Sequence, residues 1–208
     1  MCLKQNILQQ AKELFFLYGI RSVTMDDIAN KLGISKKTIY QVVKNKSDLI
    51  RELILAKSQA DVENFKLIKT ASSNAIEEML SFARYLGESI RQISPIVIYD
   101  LQKYYRDNWC EMEAERRKIA YSLVKENIER GQVQGLYRPT VNADIIARLH
   151  VATMLQIVRE EIFPIADFAK DKIVEEYILY HVHALVSPKG RILLEQHLTI
   201  ENEQTPNP

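Results

Sequence analysis

The chain has 208 residues, enough for one small domain and a larger one of about 150 residues with a substantial core. Its 28 Lys and Arg side chains nearly balance its 27 Asp and Glu side chains, and its cysteines, Cys2 and Cys110, have no Cys-x-x-Cys spacing. Because there is no apolar run of the roughly 18 residues that cross a bilayer and no signal-peptide core, we exclude a membrane span and a disulfide framework and expect a cytoplasmic location.

The first predicted helix runs from about residue 5 to residue 18, where apolar side chains recur with helical spacing. Gly19 is a natural stop for it. Thr24 and Asp27 have the spacing of a capping box, so a second helix should begin near Met25.

A tight corner should follow this second helix. Gly33 is suited to end the helix, and Ser35 is suited to cap another one. The third predicted helix is short, about residues 36–43, and polar on one side. The three elements together have the order of a helix-turn-helix motif at about residues 24–43.

The polar side chains of the third helix and its flanks suit duplex DNA. Lysines neutralise phosphates, Thr and Tyr hydroxyls donate to phosphate oxygens, and a Gln amide can pair with adenine in the major groove. A solvated lysine face is the alternative interpretation, but the capping residues and the Gly corner favour a DNA-reading helix. The candidate DNA-binding residues are Thr24, Ser35, Lys36, Lys37, Thr38, Tyr40, Gln41, Lys44 and Lys46.

Positive charge is concentrated in the same segment. Residues 1–50 carry eight Lys or Arg side chains against four Asp or Glu side chains, which leaves a formal charge of −3 on residues 51–208. This distribution places positive charge where a polyanion would dock.

The segment VTMDDIANKLGISKKTIYQVVKNKSDLI, with the helix before it, resembles the tetracycline repressor (TetR) family of bacterial transcription regulators. The matching features are a Thr opening the second helix, an I-A-x-x-x-G-[IV]-S core, T-[IL]-Y in the recognition helix and a K-N-K-x-x-L exit. The resemblance implies a homodimer that binds DNA and responds to a small effector. It also implies residue roles: phosphate clamping by Thr24, Tyr40 and Lys46, and base contacts by Lys36, Lys37 and Gln41.

One position departs from the family pattern. Val42 stands where the family usually has an aromatic residue or His, so a common phosphate-contacting ring is missing. Val43 can still serve as a core residue. The departure affects the backbone contacts and not the expected fold.

The remainder of the chain predicts an all-α fold, because no run alternates with the period of a strand for long enough. We predict an N-terminal DNA-binding domain over residues 1–47 and a helical effector-binding and dimerisation domain over residues 48–208. The helical segments of the second domain are expected at about residues 47–69, 74–92, 95–107, 109–131, 143–160 and 169–186, the last being the final long helix.

The helices at about residues 143–160 and 169–186 are apolar on more than one face. A second copy of the chain is the simplest cover, and it would place two recognition helices about 34 Å apart on a palindromic operator. The alternative is that both helices are enclosed within their own domain.

Aromatic side chains are frequent in the middle of the second domain. They suit a pocket for a small apolar or aromatic effector, although an aromatic stripe can equally be packed core. The candidate ligand-binding residues are Phe82, Tyr85, Tyr99, Tyr105, Trp109, Tyr121 and Met154.

The sequence offers little for catalysis, metal binding or a cofactor. His181 and His183 diverge around a helix, which is a poor geometry for sharing a metal. Adjacent acidic residues such as Glu77 with Glu78 are expected on solvated faces; the other such pairs are Glu160 with Glu161 and Glu175 with Glu176. There is no Gly-rich phosphate loop, G-x-S-x-G turn or H-E-x-x-H motif, so we expect no enzyme.

Three hypotheses remain in order of preference. The first is a homodimeric, ligand-responsive regulator, most simply a repressor that a small effector releases from its operator. The second is a constitutive dimeric DNA-binding protein without an effector pocket. The third is an enzyme, which requires a convergent polar cluster in the second domain.

Overall fold

The computed structural model describes residues 2–92, 94–157, 162–164 and 166–204. These residues form helices and one isolated antiparallel bridge between Tyr137 and Val186, which confirms the all-α prediction. The helices are α1 (Leu3–Tyr18), α2 (Met25–Leu32), α3 (Lys36–Tyr40), α4 (Lys46–Ala71), α5 (Ala75–Arg91), α6 (Pro95–Tyr104), α7 (Arg106–Val133), α8 (Ala143–Ile157), α9 (Lys170–Leu185) and α10 (Pro188–Gln204). No helix in the described ranges is both long and apolar enough to span a membrane.

Two sequence-based predictions of helix bounds were wrong. The third helix ends at Tyr40 and not at residue 43, because Gln41 and Val42 continue as a tight turn that brings Val43 into the core. The segment after residue 187 also forms a long helix, α10, which the sequence analysis did not predict. The expected end of α8 at Glu160 and the pair of Glu160 with Glu161 lie outside the described residues.

By its packing the chain divides into two units. The first unit comprises Met1–Val62 and Ile93–Arg116, and the second comprises Glu63–Gln92 and Arg117–Pro208. The predicted boundary at residue 47 therefore does not coincide with a packing boundary, because α6 and the beginnings of α4 and α7 pack with the N-terminal helices. The assignment of residues 48–208 to effector binding and dimerisation remains a prediction.

The core of the first unit joins the three N-terminal helices to α4 and α6. Ile7, Ile28, Ile39 and Leu49 are fully buried in it, and Leu101 of α6 belongs to the same cluster. Each fully buried aliphatic side chain contributes roughly 1.5–3 kcal/mol by leaving water. These contacts hold the short α3 in place, since five residues are too few for a stable isolated helix.

The core of the second unit lies where α5 packs against α9. Ile76 and Met79 of α5 meet Val174, Ile178 and Val182 on the buried side of α9. The same cluster includes Leu194 of α10, whose burial explains why the last helix docks.

The start of α10 is held by backbone contacts. The Ser187 N–H donates to the Leu136 carbonyl oxygen at 2.8 Å, and the Ser187 hydroxyl accepts from the Gly190 N–H at 3.1 Å. A Cβ atom at Gly190 would lie 2.0 Å from that carbonyl oxygen, so only glycine fits.

Candidate nucleic-acid interface

The helix-turn-helix begins with the capping box that the sequence predicts. The Asp27 N–H donates to the Thr24 hydroxyl at 3.1 Å, and the Thr24 N–H donates to the Asp27 carboxylate at 2.7 Å. The Thr24 hydroxyl donates to the same carboxylate, and these hydrogen bonds lower the pKa of Asp27. The N terminus of α2 is thereby fixed.

The corner between α2 and α3 depends on Gly33. Its backbone is left-handed, with φ of +65°, which glycine adopts without the steric cost of a Cβ atom. The following Ile34 N–H donates to the Ala29 carbonyl at 3.1 Å, and the Ile34 side chain packs on the core of the first unit.

Ser35 caps α3 as predicted. Its hydroxyl accepts from the Thr38 N–H at 3.1 Å and lies 2.8 Å from the Thr38 hydroxyl. Because Ile39 is fully buried, α3 has one face in the core and the opposite face outward.

The outward face of α3 and its flanks carries most of the predicted DNA-binding side chains. Lys37, Gln41 and Lys44 are exposed, and Tyr40 is 44% exposed. Lys36 is also exposed and pairs with Asp26 at 2.7 Å, a hydrogen bond that raises the pKa of Lys36. All five side chains are therefore accessible to solvent within the nine residues from Lys36 to Lys44.

Lys46 differs from the other candidates. Its ammonium donates to the carbonyl oxygens of Val23 and, at 3.4 Å, of Arg21, and it lies 5.8 Å from the ring centre of Phe15 and 5.9 Å from that of Tyr105. Burial lowers the pKa of Lys46. The side chain therefore braces the loop that precedes Thr24.

Sequence reasoning missed a second support of this loop. The Arg21 N–H donates at 2.8 Å to the carboxylate of Asp100, which is 5% exposed on α6. The partners are 79 residues apart, and neither belongs to a motif.

The predicted effector residues fall into both units. Tyr105 and Trp109 pack against the core of the first unit, and Tyr99 is 52% exposed on α6 in that same unit. In the second unit Phe82 belongs to one hydrophobic cluster, and Tyr121 and Met154 pack against it. The remaining candidate, Tyr85, contacts the ring of Phe65, which packs against the same cluster.

The four candidates of the second unit include rings that are closely packed. Phe65 makes edge-to-face contacts with Phe82 and Tyr85, each with ring centres 5.4 Å apart. The Tyr121 hydroxyl donates to Asp144 of α8. These contacts are those of an ordered aromatic core.

Comparison with known proteins matches residues 7–53 to the family described as "Bacterial regulatory proteins, tetR family". The uncharacterized HTH-type transcriptional regulator YvaF of Bacillus subtilis is 22% identical over 163 residues, covering 76% of this chain and 82% of that protein. The HTH-type transcriptional repressor KstR2 of Mycobacterium tuberculosis is 24% identical over 150 residues, covering 69% and 73%.

The fold is shared with solved structures. A transcriptional regulator from Cytophaga hutchinsonii superposes with a TM-score of 0.75 at 17% identity, covering 87% of this chain and 97% of that one. The matched family segment coincides with the capping box, the Gly33 corner and the exposed face of α3 described above. The N-terminal segment therefore carries the helix-turn-helix of the tetR family of bacterial regulatory proteins, and the chain is a DNA-binding transcriptional regulator.

Proposed function

We propose that the protein is a homodimeric repressor that binds a palindromic operator and is released from it by a small-molecule effector. The observation that carries the proposal is the accessible side of α3, where Lys37 and Tyr40 project from the helix and Gln41 from the turn after it. Ile39, on the other side of the helix, is buried. The mycobacterial relative KstR2 is named a repressor, which supports the direction of regulation.

In this proposal α3 enters the major groove. Lys36, Lys37 and Gln41 contact base edges, while Tyr40, Lys44 and the capped N terminus of α2 at Thr24 contact phosphates. Ser35 and Thr38 cap α3 and hold its register. Lys46 contributes by supporting the loop before Thr24.

Gln41→Ala is expected to weaken operator binding by about 1–3 kcal/mol and to relax sequence preference at one base pair per half-site, because a bidentate amide contact is lost. Fluorescence anisotropy with DNA from the protein's own upstream region, and with single-base variants of it, measures both effects. Gln59→Ala, at an exposed glutamine of α4 in the same unit, is the matched control and should bind as wild type. Wild-type protein without salt-dependent DNA binding would refute the proposed function.

Tyr40 is a cleaner probe of phosphate contact than Lys46. Loss of the Lys46 ammonium would free the carbonyl oxygens of Arg21 and Val23 and disturb the loop. Removing the exposed Tyr40 ring leaves those contacts intact.

Exposed apolar side chains on α8 and α9 support dimerisation. Ile145 and Leu149, one helical turn apart on α8, are 53% and 57% exposed, and Tyr180 of α9 is 72% exposed. The two helices pack against each other within the second unit. Side chains of this kind, on neighbouring helices, form an apolar surface that a second copy would cover.

Leu149→Glu is therefore expected to shift the protein from dimer to monomer, because it places a charge in the centre of an apolar contact. Light scattering after size-exclusion chromatography measures the change. Leu67→Glu, at a 67% exposed position of α4, is the control and should remain dimeric. An unchanged mass for Leu149→Glu would count against this interface.

Effector release rests on the family resemblance and on the aromatic composition of the second unit. An effector would have to separate rings whose centres now lie 5.4 Å apart. Its apparent affinity is reduced because the conformation with separated rings is rarely populated. A compound that raises the melting temperature and also releases DNA identifies a ligand-responsive regulator. Compounds that never combine these two effects favour the constitutive alternative.

A further inference from the structure

A second group of cations lies in the first unit, outside the helix-turn-helix. The Arg21 guanidinium donates to the Tyr104 hydroxyl at 2.6 Å and lies 4.6 Å from the centre of its ring. The Lys103 ammonium donates to the Tyr99 hydroxyl at 2.5 Å and lies 5.0 Å and 5.5 Å from the ring centres of Tyr99 and Tyr104. We call these four side chains the Arg21 cluster.

The Arg21 cluster is accessible and carries two cationic side chains. Arg21 and Lys103 are exposed, and Tyr99 and Tyr104 are 52% and 39% exposed. Within the described residues the side-chain hydrogen bonds of both cations go to tyrosine hydroxyls, and neither forms an ion pair with a carboxylate. The hydrogen bond with Tyr99 raises the pKa of Lys103, so its charge persists at any ordinary pH.

The chemistry of the cluster suits phosphate oxygens. Each tyrosine hydroxyl accepts a hydrogen bond from a cation, which leaves its own proton available for an anion. Contacts with the flat rings hold both cations at the surface, so less side-chain entropy is lost when an anion binds. An apolar or cationic partner would leave two charges unpaired.

The position of the cluster relates it to DNA. Arg21 precedes Thr24, the cap of α2, by three residues, which limits their separation to about 10 Å. DNA carries one phosphate for roughly every 3.4 Å of helix axis on each strand. A side chain at Arg21 therefore reaches phosphates adjacent to one held at the start of α2, and Lys103 extends the same positive surface outward.

We propose that the Arg21 cluster binds the DNA backbone just outside each operator half-site. This inference rests on the proposed function, because it requires α3 to be seated in the groove. It adds phosphate contacts to α6 and to the loop after α1, neither of which belongs to the helix-turn-helix. The contacts increase affinity without reading sequence.

The test compares two DNA duplexes and the full-length protein. One duplex ends at the outer edges of the half-sites, and the other is about one helical turn longer on each side. On the longer duplex, Arg21→Gln and Lys103→Gln are each expected to bind about threefold to tenfold more weakly and to lower the slope of log K against log salt by about 0.9. On the shorter duplex both variants should bind as wild type.

Two further variants complete the design. Lys103→Arg keeps the charge and should restore binding to the longer duplex, whereas Lys172→Gln removes an exposed charge from the second unit and should have no effect. Melting temperatures check folding. If Arg21→Gln is unstable, the result for Lys103→Gln alone tests the inference. The Lys103 side chain contacts exposed tyrosines, so its replacement should not affect folding.

The inference is overturned if both glutamine variants bind the longer duplex like wild type, or if they weaken binding equally on both duplexes. The latter result would indicate that the cluster acts on DNA within the half-sites, which both duplexes contain, and not on the flanking backbone. If the wild-type protein shows no salt-dependent binding to either duplex, the proposed function itself fails. Failure of the Arg21 cluster alone is recognised because the wild-type protein still binds DNA.

Discussion

Arg130→Met is expected to destabilise the second unit by about 3–5 kcal/mol, because it leaves a buried carboxylate without its cation. Glu78 on α5 is 1% exposed, and Arg130 of α7 donates to its carboxylate. The same guanidinium donates to the Ser72 carbonyl at 2.8 Å and to the Lys69 carbonyl at 3.4 Å. Urea unfolding followed by circular dichroism, at one fixed protein concentration, measures the loss.

A second substitution separates the cost of the unpaired charge from the cost of lost packing. Combining Arg130→Met with Glu78→Leu should recover much of the stability, since a buried ion pair can often be replaced by apolar side chains. Lys66→Met breaks the exposed pair between Lys66 and Glu63 and should cost only about 0–1 kcal/mol. Equal losses of stability for Arg130→Met and Lys66→Met would contradict the special cost of leaving the buried Glu78 carboxylate unpaired.

Stability is expected to fall steeply as the pH decreases from about 6.5 to about 4, because two histidines are held neutral in the folded protein. Burial and the neighbouring His181 lower the pKa of His150 to about 3, and burial lowers the pKa of His181 to about 4. Their ring centres lie 4.5 Å apart between α8 and α9, and the His150 Nδ1 and His181 Nε2 atoms have no hydrogen-bond partner in the described structure.

The sign follows from proton binding. Below pH 6.5 the unfolded chain takes up protons at both imidazoles while the folded chain does not, so acid favours unfolding. Each histidine contributes up to about 1.4 kcal/mol per pH unit until the pH reaches its folded-state pKa. Free energies of unfolding measured from pH 7 to pH 4.5 test this slope, a range in which protonation of Asp27 and Asp144, whose pKa values hydrogen bonds lower, has little influence.

His181→Gln should flatten the pH dependence by nearly one proton, whatever it does to stability at pH 7. His183→Gln is the control, because His183 is exposed on the other side of α9 and should leave the slope unchanged. A slope that persists in His181→Gln would assign the acid sensitivity to other groups.

The helix-turn-helix was predictable because its signals are local. Thr24, Gly33 and Ser35 each act within four residues, through a capping box, a left-handed corner and a cap, and all three have the predicted geometry. The exposed side of α3 followed from the burial of Ile39. Features that depend only on residues close together in the chain could therefore be predicted from the sequence.

Features that depend on distant partners were not predictable in this way. Glu78 was expected on a solvated face with Glu77, but Arg130, 52 residues away, allows its burial. Lys46 was expected to face phosphate, but its ammonium is drawn to carbonyl oxygens 23 and 25 residues earlier. The helix α10 was missed because the helix at about residues 169–186 was expected to be the last long one, although Ser187 and Pro188 are residue types that also open helices.

The close approach of Gly190 to the Leu136 carbonyl oxygen limits how this protein can diverge. Where two main chains meet directly, no change in a neighbouring side chain can make room for a methyl group, so compensation by a second substitution is unavailable. Exposed positions of α10 such as Ile192 can accept other residues, whereas position 190 accepts only glycine. Substitutions in α10 are therefore expected at its exposed positions and not at position 190.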